Sequence, residues 1–361
     1  MLVPPLRMAP VNVWDTSKNH DRILQQMQFQ PIGIDISRPK VILVDNSIAQ
    51  WSVKEGKATF IEHECLVQNC IISDSVGENK HVDARLFDQN VLFSDDSLRK
   101  SLPKRTKDQV WIFFSLESPF ATPKYAPIAR LFNWTATYRQ DSTIVAPYEK
   151  WATQTNTPLK TSSKNYASGK TKQIAMFVSN CHAFNERLEY ARELSEFITV
   201  DIFGNCGGLK CRRGSKECHD MLKRDYKFYL SFENANCRHY ITEKFFVNAL
   251  QNDIIPIVMG AHPDDYKTSA PPNSYIHVDD FESPKELAKY LEELDRDDDK
   301  YNKYFEWKDT GDFINTKFWC RLCAMVNDAM KPTLVVNNLE QWWRGENICL
   351  PEGFDRKWIN V

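Results

Sequence analysis

From residue 173 to residue 260 the chain alternates between short apolar runs and amphipathic ones, and this alternation restricts the fold more than any other feature. QIAMFVSN (173–180), TVDIFG (199–204), KFYLSFEN (227–234) and IIPIVMG (254–260) read as strands. NERLEYARELSEFI (185–198) reads as a helix, because Leu188, Ala191, Leu194 and Ile198 recur at helical spacing. TEKFFVNALQN (242–252) and PKELAKYLEELD (284–295) are helical too, the latter with Pro284 suited to a first turn. Strand, helix and strand in repetition predict a parallel sheet with helices on both faces.

A chain of 361 residues exceeds one ordinary core, so two domains are expected. The first forty residues are polar and proline-spotted and read as a loosely held arm. PKVILVDN (39–46) and QVWIFFSLESP (109–119) are strand signals, the second stopped by Pro119. KATFIEHECLV and CIISDS between them carry mixed strand character. Residues 150–172 are rich in Thr, Ser, Lys and Asn and read as a linker or exposed loop. The expected division is an arm and first domain over 1–165 and a second domain over 166–361.

A formal net charge of -2 without a like-charge block argues against nucleic-acid binding, which uses a concentrated basic face. No apolar run approaches the roughly 18 residues that cross a bilayer. The opening MLVPPLRMAPVNVWD has no signal-peptide pattern, so the chain is expected to be cytosolic or to lack its targeting segment. The ten cysteines favour the second alternative. Cys65 with Cys70, Cys206 with Cys211 and Cys218, and Cys320 with Cys323 suit disulfides in an oxidising compartment better than zinc, which needs paired thiolates at fixed spacing. Cys181 and Cys237 stand alone and are left open as buried thiols.

In a parallel sheet of this kind ligands bind beyond the carboxyl ends of the strands. Glu233 and Asn234 close one strand there. Thr242 is placed to cap the next helix, with Glu243 and Lys244 in its first turn, and Arg187 opens the helix after QIAMFVSN. Two cations at adjacent helix starts suit a diphosphate, while Glu243 suits sugar hydroxyls. Taken singly, each residue is explained as well by helix-dipole complementation, loop capping or solvation. Their convergence on one sheet edge points to a nucleotide-sugar site. Neither a dinucleotide-type glycine fingerprint nor a Walker loop occurs, which weighs against a dehydrogenase or NTPase.

The stretch YKFYLSFENANCRHYITEKFFVNALQNDIIPIVMG resembles the donor-binding signature of the α1,3-fucosyltransferases. LESP (116–119), FNWTATYRQDS (132–142), VSN (178–180), IHVDDFESPKELAKYLEELD (276–295), YNKYFEWK (301–308) and FWCRLC (318–323) extend the resemblance over most of 105–350. It implies a GT-B-type α/β fold: two Rossmann-like domains with parallel sheets, facing a cleft, the first for acceptor and the second for GDP-β-L-fucose. It implies inverting transfer of L-fucose to O3 of an N-acetylglucosamine. Glu117 matches the catalytic base, Arg187 and Lys244 the diphosphate-binding cations, and Glu243 the carboxylate that holds fucose. Tyr229, Asn234 and Tyr240 match donor-site positions, and Tyr138 an acceptor-side tyrosine. No metal is implied, and the Asp-x-Asp spacing in DRDDDK (295–300) reads as a solvated helix end. Members of the family are type II membrane proteins of the Golgi, so Golgi luminal localisation is expected, with the anchor missing from this chain.

FWCRLCAMVN and EQWWRGENIC resemble the invertebrate and plant enzymes that act on the glycoprotein N-glycan core, so the Asn-linked GlcNAc is the expected acceptor, with Trp342 and Trp343 as candidate sugar-stacking residues. The alternative is Lewis-type fucosylation of antennal N-acetyllactosamine. A glycosidase using Glu117 and Glu243, and a non-catalytic glycan-binding module, are the rivals from other classes. Asn133-Trp134-Thr135 is a glycosylation sequon, flanked by aromatic residues that argue against its use.

Overall fold

The computed structural model describes residues 12–16, 22–45, 48–75, 81–89, 105–124, 130–153, 164–212, 214–353 and 357–358. Two compact units divide the chain. The first comprises 1–117, 122–146 and 316–343, and the second 118–121, 147–315 and 344–361. A single cut after residue 165 therefore does not describe the division.

The first unit is built on five parallel strands in the order β2-β1-β3-β4-β5: β1 (Lys40–Val44), β2 (Cys70–Ser73), β3 (Ala84–Asp88), β4 (Val110–Ser115) and β5 (Trp134–Thr137). β4 is central to the aromatic content of the unit, and Trp111, Ile112 and Phe113 are all buried. KATFIEHECLV is not a strand. Its start forms a short helix, Ala58–Glu62, that buries Thr59 and Phe60. The arm is not wholly loose either, since a helix over Arg22–Met27 buries Arg22, Ile23 and Gln26. The Arg22 guanidinium donates to the carbonyls of Gln140 (2.6 Å) and Thr143 (3.3 Å), which answers the desolvation that lowers its pKa.

The helix Phe318–Asn327 returns to this unit from late in the chain. Disulfides Cys65–Cys320 and Cys70–Cys323 hold it there, across 255 and 253 residues. In the chain-entropy view, closing a loop of that length is worth about 5 kcal/mol. The second bridge adds less, because the first has already closed almost the same loop. Cys320 and Cys323 face β2 and the Ala58–Glu62 helix as part of the core, with Leu322, Met325 and Val326 beside them.

The second unit repeats the pattern with five parallel strands in the order β11-β10-β9-β7-β8. They are β7 (Lys172–Phe177), β8 (Val200–Phe203), β9 (Tyr226–Phe232), β10 (Ile255–Met259) and β11 (Ile276–His277). β9 lies at the centre, and all seven of its residues are buried. The predicted helix over 185–198 forms as Arg187–Ser195, and that over 284–295 as Pro284–Arg296, with Ser283 accepting from the Glu286 N–H as its N-cap. The polar segment 150–172 is structured at both ends. β6 (Trp151–Thr153) pairs antiparallel with β12 (Gly311–Phe313), and Tyr166, Ala167 and Lys170 are buried; residues 154–163 lie outside the described ones. A further helix, Lys216–Asp225, for which the sequence predicts no element, buries Cys218 and Leu222.

All ten cysteines are paired. Cys181 bonds Cys206, Cys211 bonds Cys218 and Cys237 bonds Cys349, so neither Cys181 nor Cys237 is a free thiol. Among the described residues no helix is long and apolar enough to cross a membrane.

Candidate active site

β9 ends on three carbonyls that no strand partner can take, and one loop satisfies them in order. Arg187 Nη1 donates to the Phe232 carbonyl (2.8 Å), Asn185 Nδ2 to that of Glu233 (3.0 Å), and the Phe184 N–H to that of Asn234 (3.2 Å). Asn185 Nδ2 also reaches Asn236 Oδ1 at 2.8 Å. The loop after β7 is thus laced to the end of β9, and Arg187 is fixed at the carboxyl edge of the sheet, only 4% exposed. Asn185 was not singled out from the sequence; an amide two residues before the candidate cation was the only signal.

Glu233 is fully buried. Oε1 accepts from the Thr242 N–H (2.8 Å), and Oε2 from Thr242 Oγ1 (2.9 Å) and Lys244 Nζ (3.0 Å). Its burial needs the glycine of the neighbouring strand end. Gly260 has φ of +153°, and a Cβ there would meet Glu233 Cγ at 2.7 Å. Lys244 Nζ also contacts Thr242 Oγ1 (2.8 Å) and Glu243 Oε1 (3.3 Å).

The charges are coupled. Desolvation raises the pKa of Glu233, opposed by Lys244. Desolvation pulls Lys244 down, but Glu233 and Glu243 outweigh it, so its pKa is raised and it stays a cation. Glu243 is penalised by burial and still lies below the usual carboxylate range because Lys244 is adjacent. Desolvation lowers Arg187, against the pull of Glu233 and, more weakly, Tyr229, Tyr240 and Glu243.

Thr242 stands where the sequence predicts the N-cap. Its carbonyl accepts from the Phe245 N–H (3.1 Å), and its hydroxyl, which also bonds Glu233 and Lys244 Nζ, accepts from the Lys244 N–H at 3.5 Å, while Glu243 is already in helical conformation. The following turns are not α-helical. Lys244–Ala249 form a π-helix and Leu250–Asn252 a 3-10 turn. Such wide turns are rare and recur at functional sites.

The structure brings Arg187, Asn234, Glu243 and Lys244 to one strand edge. Tyr240 is 2% exposed beside them. Tyr229 lies inside β9, where its hydroxyl accepts from Asn248 Nδ2 (3.0 Å) and the Phe177 N–H (3.4 Å) and so braces the π-helix against β7. Arg187 Nε, Asn185 Oδ1 and Asn234 Oδ1 are buried without a hydrogen-bond partner among the described residues. Buried polar atoms left open in this way are costly, and one remedy is a polar ligand.

In the first unit Glu117 is half-buried just beyond β4, and its carbonyl accepts from Ser115 Oγ at 3.4 Å. Tyr138, just beyond β5, is 3% exposed and packs against Trp343 with ring centroids 5.7 Å apart. Trp343 is fully buried, also packs on Phe113, and donates Nε1–H to Thr122 Oγ1 (2.9 Å). It is core packing and not a sugar-stacking surface. Trp342 stacks on Trp343, donates to Asp141 (2.9 Å) and carries the Arg139 guanidinium 4.5 Å from its ring.

DRDDDK is consumed by structure. Asp295 pairs with Lys227 at 2.8 Å, Asp297 Oδ1 caps the Lys300 N–H, and Asp298 accepts from Asn165. Lys227 is the second residue of β9, so this cluster lies about 20 Å along the strand from Glu233. The Asn133 amide is likewise occupied. Oδ1 accepts from the Trp111 N–H and Arg105, and Nδ2 donates to the Leu334 carbonyl.

Comparison with known proteins matches two family models to the chain, the C-terminal one running on into the segment 316–343 that packs with the first unit. The family model described as glycosyltransferase family 10 (fucosyltransferase) C-term matches residues 167–342, and the fucosyltransferase N-terminal model matches 37–149. Glycoprotein 3-alpha-L-fucosyltransferase A of Drosophila melanogaster is 45% identical over 348 residues, covering 94% of this chain and 67% of that protein. Alpha-(1,3)-fucosyltransferase C of the same organism is 34% identical over 78% of this chain and 71% of its own length. Human 4-galactosyl-N-acetylglucosaminide 3-alpha-L-fucosyltransferase FUT5 is 40% identical, over 58% of this chain and 54% of its own. A crystal structure of an alpha1,3-fucosyltransferase with GDP-fucose matches the fold with a TM-score of 0.53 over 86% of this chain and 97% of that one, at 17% identity.

Proposed function

Because the chain belongs to glycosyltransferase family 10, the fucosyltransferases, we propose that it transfers L-fucose from GDP-β-L-fucose to O3 of the Asn-linked core N-acetylglucosamine of a glycoprotein glycan. It is an α1,3-fucosyltransferase; the acceptor and the residue roles are our reading. The observation that carries it is the convergence of Lys244, whose pKa Glu233 and Glu243 raise against desolvation, the buried Arg187 and the carboxylate of Glu243 at one strand edge, with open buried polar atoms beside them.

The acceptor O3–H gives its proton to Glu117 as the oxygen attacks C1 of fucose. The bond from C1 to the diphosphate oxygen breaks, and GDP leaves with the electron pair. The sugar carries oxocarbenium character at this point, which Glu243 offsets. Negative charge grows on the diphosphate, and fixed cations stabilise it most effectively in a desolvated setting. Arg187 suits bidentate contact with phosphate oxygens, and Lys244 acts as a point charge. Five disulfides suit an oxidising compartment, and we place the enzyme in the Golgi lumen.

Core over antennal transfer is supported by the 45% identity to a glycoprotein 3-alpha-L-fucosyltransferase over 94% of the chain, against 40% over 58% for a 4-galactosyl-N-acetylglucosaminide enzyme. The test presents a trimmed-core glycopeptide and a free N-acetyllactosamine with GDP-fucose, read by mass spectrometry. Fucose on the core GlcNAc alone is expected. Fucose on the lactosamine alone replaces this reading with the Lewis type. Glu117→Gln is expected to keep GDP affinity and cut turnover about a hundredfold or more, the scale of a lost general base; near-normal turnover removes Glu117 from that role.

A further inference from the structure

We propose that Phe120 and Phe184 form a stacking platform for the acceptor glycan, taking the apolar face of a sugar beside the reacting N-acetylglucosamine. The rings lie 4.1 Å apart at 11°, a face-to-face stack. Phe184 is 42% exposed, although most large apolar side chains of its unit are buried. Phe120 is half-buried, so the pair offers flat apolar surface to solvent.

Both rings are held in place by their backbones. The Phe184 N–H is bound to the Asn234 carbonyl (3.2 Å), and its own carbonyl accepts from the Gly353 N–H (3.1 Å). Disulfide Cys181–Cys206 anchors the same loop. Phe120 lies in a 3-10 turn, Pro119–Ala121, closed by the Ala121 N–H to Ser118 carbonyl bond. Arg344 Nη2 donates to the Pro119 carbonyl at 2.6 Å. An exposed aromatic pair fixed this firmly gains little from burial and is preorganised for a ligand.

Position along the chain links the platform to the reaction. Phe120 is three residues after Glu117, which limits their separation to roughly 11 Å. Phe184 is three residues before Arg187 and caps the carbonyl of Asn234. Both rings therefore belong to the unit that carries the loop of the proposed diphosphate cation, and Phe120 follows the proposed base closely in the chain. A sugar ring has one face rich in C–H groups and a rim of hydroxyls, and an aromatic face suits the former while water or polar groups serve the latter. The inference rests on the transfer reaction proposed above and adds the groups that recognise the acceptor.

The experiment measures KM for a trimmed-core glycopeptide, and GDP affinity by calorimetry, in Phe184→Ala, Phe184→Leu, Phe184→Tyr and Phe120→Ala. Ala and Leu at 184, and Ala at 120, are expected to raise acceptor KM about five- to tenfold, the scale of one aromatic stack, with GDP affinity within twofold. Tyr at 184 is expected to restore the acceptor KM, since it keeps the flat ring. Leu preserves apolar bulk, so a KM rise with Leu and not with Tyr separates stacking from packing. Unchanged acceptor KM in Ala and Leu overturns the platform, as does a loss of GDP affinity equal to the KM effect, which would assign the rings to the donor. If wild type transfers fucose to no N-acetylglucosamine at all, the reaction reading fails instead.

Discussion

The two edges of the second sheet are made of the same residue types and are built to opposite ends. At the amino edge, Asp253 takes Lys308 (2.7 Å) on one carboxylate oxygen and Lys164 (2.8 Å) and Lys223 (3.4 Å) on the other, while Lys170 donates to its carbonyl. Lys227 pairs with Asp295, and Lys172 with Asp201. At the carboxyl edge Lys244 and Arg187 are more buried than Lys164, Lys172 and Lys223, which are about half exposed, yet Arg187 Nε, Asn185 Oδ1 and Asn234 Oδ1 are left open. Closed charge clusters serve stability, whereas open buried ones mark a place where a ligand completes the structure. What separates the two edges is polar satisfaction and not charge content.

The sharpest way to break this contrast is to remove cations from each edge. Arg187→Ala and Lys244→Ala are each expected to weaken GDP binding at least tenfold and to cut turnover about a hundredfold or more. Lys244→Ala also strands Glu233, and losing one partner of a buried pair costs about 3–5 kcal/mol. Lys244→Ala with Glu233→Gln is therefore expected to recover thermal stability and not GDP affinity. Lys223→Ala at the amino edge is expected to leave GDP affinity within twofold. Calorimetry that finds GDP affinity unchanged at the carboxyl edge, or lost at the amino edge, breaks the distinction.

The second test is pH. Asp253 is penalised by burial, but hydrogen bonds from Lys164 and Lys308 bring its pKa down to about 2 from 3.8. Between those values the unfolded chain binds a proton that the folded one refuses. Its contribution, about 2 kcal/mol above pH 4, is lost as pH falls toward 2. Lys170 has the opposite history: desolvation lowers it to about 7. From pH 7 to 10 the unfolded chain holds the extra proton, so stability rises with pH across that window. Urea unfolding against pH is expected to show both slopes. Asp253→Asn should flatten the acid one and Lys170→Met the alkaline one, with transfer activity at neutral pH following neither slope.

The legible part of the molecule was the part whose signals are local. β7, β9 and β10 announce themselves as apolar runs, and once they are read as parallel strands the carboxyl-edge rule places Arg187, Glu243 and Lys244 together. Glu233 was visible as a strand-end carboxylate, but its burial against Gly260 depends on a neighbouring strand and not on its own sequence. The π-helix was hidden because KFFVNAL has ordinary helical composition. The helix Phe318–Asn327 packs with the first unit, which cysteine spacing does not reveal because its disulfide partners lie some 250 residues away. β6 and β12 pair across some 160 residues, so in sequence the polar segment reads as a linker.

The smallest expected effect concerns the Asp-x-Asp spacing, which in many sugar transferases holds a metal on the nucleotide diphosphate. Here its carboxylates belong to the amino edge, about 20 Å along β9 from Glu233. Asp295 is engaged by Lys227, and Asp297 caps a short helix over Asp298–Asn302. If the edges differ as argued, these carboxylates have no part in donor binding, and Arg187 and Lys244 supply the positive charge that a metal would bring. Asp297→Ala should then cost about 1 kcal/mol as a lost N-cap and leave the KM for GDP-fucose unchanged. Turnover should persist in EDTA in wild type and variant alike. A rise in donor KM in the variant, or an EDTA loss that manganese restores in wild type and not in the variant, would move the diphosphate site to the amino edge and invert the comparison.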